Sequence, residues 1–172
     1  MGPLWQRTRD VHHRAEQHPL AKAMMDGTIS PQHWADWLNA QLTLQRVLDP
    51  YLPPAVQRSA ALAGDLLSML PIVARPNKAA QDHAERLTDI QSVFGAAYIL
   101  IGSYKRGGRV IEKAMQAKGL DLPSSHVRFE DNADAERFVT RLRERRDLGD
   151  AAYRTFAAII DIMDEIHGEE AG

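Results

Sequence analysis

The chain has 172 residues, 44% hydrophobic and 26% charged, with a formal net charge of −2 and no cysteine. That length suits one domain with a sizeable core, and the near-neutral charge gives no electrostatic reason to expect a nucleic-acid partner. Absence of cysteine excludes disulfides and thiolate metal sites, and no apolar run is long enough for a signal peptide or membrane span, so a cytoplasmic protein is expected.

Helical periodicity runs along almost the whole sequence and alternating strand patterns are lacking, which predicts an all-α, single-domain helical bundle over residues 1–172. Pro3 suits a first helical turn, and a helix is expected from there through Glu16. Pro19 can open a short second helix that Gly27 ends. Ser30-Pro31 reads as a cap plus first-turn proline, opening a helix that carries Trp34, Trp37, Leu38, Leu42, Val47 and Leu48. Pro50, Pro53 and Pro54 break it, and helices follow from Ser59 to about Leu70 and from Lys78 to Leu87. Thr88 to Lys118 is one long helical pattern with Gly119 as its cap, and Asp121 to Asn132 is an irregular connection. Two last helices fit Ala133 to Arg146 and Gly149 to about His167, the latter with an apolar stripe of Phe156, Ile159, Ile160, Met163 and Ile166.

The first helix contains Val11-His12-His13-Arg14-Ala15-Glu16, which sets an imidazole and a carboxylate at i and i+4, one turn apart on one face. A histidine held this way can ligate a metal through one ring nitrogen while an acceptor orients the other. The same spacing also describes an ordinary surface pair. His18, His33, His83, His126 and His167 have no partner at a useful spacing and are expected at the surface.

The second unusual segment is Tyr98-Ile99-Leu100-Ile101-Gly102-Ser103-Tyr104-Lys105-Arg106-Gly107-Gly108. Each glycine inside a helix costs about 1 kcal/mol relative to alanine, so this cluster needs a reason. Without Cβ atoms the backbone can bend and approach a flat ligand closely; the plainer reading is a helix–loop–helix break with a basic turn. Together with the helical histidine, the segment suggests a planar metal cofactor between two helices.

With these residues in view the sequence resembles the haem oxygenases. Their first-helix pattern Val-His-x-x-Ala-Glu is reproduced by Val11, His12, Ala15 and Glu16, and the likeness continues without a gap through Gly27, Ile29, Ser30 and Trp34. Tyr98 followed by Gly107-Gly108 resembles the distal-helix motif, and Gly102-Ser103 is similar to the bacterial, phytochrome-associated branch. The resemblance implies haem held between a proximal N-terminal helix and a glycine-rich distal helix. His12 would be the iron ligand, Glu16 would fix the helix and ring, and Gly102, Gly107 and Gly108 would lie over the opposite face. Arg9, Tyr98, Arg137 and Arg141, with Arg143 as a further candidate, would meet the propionates. Ser103, with Gly102 and Gly107, would form the distal catalytic element.

The implied activity is cleavage of haem, at once substrate and prosthetic group, to biliverdin, carbon monoxide and ferrous iron. It consumes dioxygen (O2) and electrons from a ferredoxin or flavoprotein reductase, and the bilin would feed a photoreceptor. Two departures bear on this. Tyr104 falls where many relatives carry an aspartate that organises distal water, with Lys105 and Arg106 beside it, and Trp5 stands where some relatives have a propionate-binding lysine. The Tyr104-Lys105-Arg106 departure favours an alternative, a haem carrier or sensor of the same fold that does not degrade its ligand. A di-iron site would want two Glu-x-x-His repeats, and a thiamin-type hydrolase would want a cysteine nucleophile; the sequence has neither.

Overall fold

Three helices begin on a proline at the first helical position, where its missing N–H costs nothing and its fixed φ favours the turn. The computed structural model describes residues 2–172, and the order of elements along them follows from such local signals. Helix α1 is Pro3–Glu16 and α2 is Pro19–Asp26. Gly27 ends α2 with φ of 67°, a left-handed conformation that side chains other than glycine resist. Helix α3, Pro31–Leu48, is capped by the Ser30 hydroxyl, which accepts from the His33 N–H at 3.1 Å.

After short 3₁₀ turns at Asp49–Tyr51 and Pro54–Val56 come α4, Ser59–Ser68, and α5, Lys78–Arg86. The latter is capped by the Asn77 side chain. Helix α6, Ile90–Ser103, starts with a reciprocal capping box between Asp89 and Ser92. It runs through a π-turn, Tyr104–Gly108, into α7, Arg109–Ala117. A 3₁₀ turn at Ser125–Val127 interrupts the following connection, then α8 spans Asn132–Arg143 and α9 spans Gly149–Gly168. Helix α8 stops short of Arg146 because the Arg145 N–H turns back to the Leu142 carbonyl and a 3₁₀ turn, Arg146–Leu148, follows.

No strand occurs among the described residues, so the expected all-α bundle is the fold. Helix α9 is its central rod, with α1, α5 and α6 packed along it. The approach of α6 is close: a Cβ on Gly95 would stand 2.5 Å from the Ala151 Cβ, which explains why that position carries no side chain. The core gathers Val11, Leu38, Leu48, Ile101 and Ile162, each buried, and a satellite of Leu4, Leu142 and Leu148 closes one end. Among the described residues no helix is long and apolar enough to cross a membrane.

Three histidines expected at the surface are buried instead. His18 caps α2, its Nδ1 accepting from the Leu20 N–H at 3.0 Å while Nε2 meets Asp164 of α9 at 2.7 Å. His83 lies 3.0 Å from the Thr155 hydroxyl, and His126 is bound to Asp65. Each is buried with a polar partner far away in sequence, which is why spacing could not reveal it.

Candidate functional site

Helices α1 and α6 both lean on α9 but hardly on each other, and the gap between them is a cavity of about 170 Å³. That is smaller than the roughly 300–1,000 Å³ typical of small-molecule sites, and an adjoining compartment extends it. Its lining is largely apolar: Met24, Trp37, Leu44, Leu100, Ile159 and Met163 contribute most of the wall chemistry. A second compartment of about 140 Å³ adjoins it, lined by Trp5, Tyr98, Gly102, Arg106 and Arg143 among others. His12, Ser103, Gly107 and Phe156 line both, so they mark the junction.

His12 reaches this junction from the inward edge of α1, with its side chain 44% exposed. Its ring stacks on Phe156 of α9, centroids 5.0 Å apart and planes 18° from parallel. Its Nε2 lies 2.8 Å from Glu16 Oε1, one turn on. The imidazole is therefore positioned by an aromatic face on one side and a carboxylate at its tip. Among the described residues no three His, Asp or Glu side chains gather to hold a bare metal ion.

The opposite wall is the end of α6 and the π-turn. A Cβ built on Gly102 or Gly107 would meet nothing within 4 Å, so both expose backbone to open space beside the cavity. Gly108 differs, because a Cβ there would stand 2.6 Å from Val127 Cγ1; its role is to let the Ser125–Val127 turn pack down. Tyr104 does not project as a free distal group. It is fully buried, and its hydroxyl donates to Gln45 Oε1 at 3.2 Å; burial, aided by Asp49, pushes the phenol well above its ordinary pKa. Lys105 turns away from the cavity and pairs with Glu136 of α8, which holds that carboxyl below its usual range.

His126 faces the main cavity from the same wall, edge-on to Tyr104 with centroids 5.3 Å apart. Sequence reasoning missed it because its partner Asp65 lies in α4, far along the chain. Phe156 was legible as part of an apolar stripe, but not as the platform for His12.

A search of solved structures returned proteins of this architecture. The chain is similar to the haem oxygenase from Leptospira interrogans, with a TM-score of 0.80 and 20% identity over 96% of this chain and 100% of that one. It is also similar to haem oxygenase-1 from the cyanobacterium Synechocystis, solved in complex with haem, with a TM-score of 0.78 and 18% identity over 96% and 90% of the two chains. The fold is that of the haem oxygenases. No protein-family model matches the sequence, and no curated protein matches it.

Within this haem oxygenase fold the candidate residues divide clearly. His12, Glu16, Ser103, Gly107 and Gly108 line the main cavity, and Tyr98 and Gly102 line the adjoining compartment. Arg137, Arg141 and Arg9 line neither. Arg137 is exposed and pairs with Asp134 one turn back, Arg141 is exposed, and Arg9 lies outside near Asp10 with its guanidinium 6.0 Å from the Trp5 ring centroid. The physical reason is the rotation of α8. Ala135, Val139 and Leu142 point into the core, which turns Arg137 and Arg141 outward and brings Arg143 to the cavity rim. Arg106 of the π-turn joins it there.

Proposed function

We propose that the chain binds haem between α1 and the α6–π-turn wall and acts as a haem oxygenase. The observation that carries this reading is His12 standing across an apolar cavity from the bare backbone of Gly102 and Gly107, within this fold. A lone imidazole suits a metal that arrives with four ring nitrogens of its own. An apolar slot with glycine on one wall suits a flat macrocycle, because a Cβ there would occupy the space the ring needs.

His12 would ligate the iron, and Glu16 has a part in that. Its carboxylate lies 2.8 Å from Nε2 and would have to give that nitrogen up if the iron took it. The same carboxylate can then orient the remaining ring N–H, as acceptors beside metal-bound imidazoles commonly do. Arg106 and Arg143, with Tyr98, border the second compartment and supply charge for two propionates. When bound, haem supplies the iron and the ring that dioxygen and reductase-delivered electrons convert to biliverdin, carbon monoxide and ferrous iron. The chain's own contribution is to exclude bulk water with its apolar walls and to offer the Ser103 hydroxyl as a proton-handling group. A ferredoxin or flavoprotein reductase is the electron donor in this reading, and a bilin-binding photoreceptor is a consumer of the product.

One feature favours a second reading, a haem carrier or sensor without turnover. The Tyr104 hydroxyl is spent on Gln45, and Glu16 of α1 is the one carboxylate among the described residues that lines the cavity. The wall facing His12 thus has no acidic group for handling protons. An absorbance time course separates the two. The protein is mixed with haemin, then given ascorbate or a ferredoxin–reductase system. Decay of the haem band with appearance of a bilin band supports the oxygenase; a persistent haem band under both reductants leaves the carrier.

A further inference from the structure

The wall facing His12 carries a buried imidazole whose orientation is over-determined. Asp65, buried in α4, accepts four hydrogen bonds from one short turn. Its Oδ1 takes the Ser125 N–H at 3.1 Å and the Ser125 hydroxyl at 2.6 Å. Its Oδ2 takes the His126 N–H at 3.1 Å and lies 2.8 Å from His126 Nδ1. Burial alone would raise this carboxyl, but the bonds from His126 and Ser125 outweigh it and leave Asp65 ionised at neutral pH. A carboxylate can only accept, so the ring nitrogen facing it carries the proton.

His126 is 2% exposed, yet its ring lines the cavity that His12 also lines. It is held against the π-turn: Tyr104 presents its ring at 90°, and Val127 fills the space that a Gly108 side chain would need. The other two buried histidines border no part of this cavity, and His18 has both nitrogens engaged. His126 Nε2 has no protein partner, so a neutral ring with Nδ1–H on Asp65 presents a lone pair there, on a wall whose other large polar group, Tyr104, is already committed to Gln45.

We propose that His126, oriented by Asp65, is the hydrogen-bond acceptor of the wall opposite His12, where its Nε2 holds water on the far side of a haem ligated by His12. The proposal rests on the haem-binding reading. It assigns to the Asp65–His126 pair the task of holding distal water, for which the cavity offers no carboxylate on that wall. An acceptor lone pair favours water over hydroxide as its partner, so it raises the pH at which iron-held water deprotonates.

The test begins with the ligand-free protein, where long-range ¹⁵N NMR of the imidazoles reports tautomers. His126 is expected as the neutral Nδ1–H form at pH 7; an Nε2–H form or a doubly protonated ring overturns the proposal. The ferric haem complex is then titrated with alkali and followed optically. His126→Phe keeps the edge packing on Tyr104 but removes the acceptor, and is expected to lower the water-to-hydroxide midpoint by about one pH unit, a tenfold change. Asp65→Asn is expected to shift it the same way, with circular dichroism confirming that both variants fold. A midpoint within a few tenths of wild type in His126→Phe overturns the proposal while leaving haem binding intact. A wild-type spectrum in which His126 itself ligates iron, lost in His126→Phe, also overturns it. Absence of any His12-dependent haem band overturns the haem-binding reading and this proposal together.

Discussion

The His12 imidazole lies flat against Phe156, with ring centroids 5.0 Å apart, while Glu16 engages its Nε2 at 2.8 Å. An aromatic platform on α9 thus limits the rotation of the one imidazole of α1 that borders the cavity. His13, next in sequence, is exposed. His12→Ala should lose the imidazole-ligated ferric haem spectrum, whereas His13→Ala should retain it with unchanged affinity. An absorbance titration with haemin reads both variants.

The arginines at the rim give a second contrast. Arg143 and Arg106 border the compartment beside Tyr98, and Arg137 and Arg141 face outward on the same helix as Arg143. A charge-assisted hydrogen bond to a carboxylate contributes on the order of 1.5 kcal/mol, or about tenfold in affinity. Arg143→Ala and Arg106→Ala should therefore each weaken haem binding about tenfold. Arg137→Ala and Arg141→Ala should stay within twofold of wild type.

Neighbouring glycines are expected to respond in opposite ways. Gly107 has open space where a Cβ would go, so Gly107→Ala should be neutral or stabilising by up to about 1 kcal/mol. Gly108→Ala would press on Val127 and should cost about 1–3 kcal/mol. Urea unfolding measures both. Gly107→Leu should fold but bind haem at least tenfold more weakly, since its side chain occupies the cavity.

Tyr104 is a structural residue by its contacts. Tyr104→Phe removes the hydroxyl that Gln45 accepts from and should cost about 1–2 kcal/mol. Tyr104→Asp would replace a fully buried ring by a smaller, charged group and should cost about 3–5 kcal/mol. Restoring an aspartate at this position is therefore expected to damage folding before it alters any chemistry, which thermal melts of the two variants will show.

Burial, with Arg86 and Arg154 nearby, lowers the His83 pKa from 6.5 to about 4. The unfolded chain takes up a proton as pH falls through 6.5, and the folded protein does so only near 4. Stability from this group is complete above about pH 6.5 and is lost as pH falls between those values. Between pH 7 and pH 5 the loss should be about 2 kcal/mol. Urea midpoints at the two pH values should show it in wild type, and His83→Gln, which cannot titrate, should lose that component.

Helix starts and the His12–Glu16 pair were legible in the sequence because both are local. A proline at the first turn, a Ser30 cap or an i,i+4 pair acts within one or two turns of backbone, whatever the rest of the chain does. The glycine cluster was legible too, but not the division of labour within it. Whether Gly107 or Gly108 faces a neighbour depends on where Val127 lands, which is a matter of packing between distant segments. The arginines of α8 make the same point. Their spacing along the helix is readable, yet which of them meets the cavity depends on how Val139 and Leu142 rotate the helix onto the core, and that selects Arg143. His126 is the extreme case, because nothing near it in sequence marks it. Its burial comes from packing against Tyr104 and its orientation from Asp65 in another helix, since a buried polar group persists only where the fold brings it a partner.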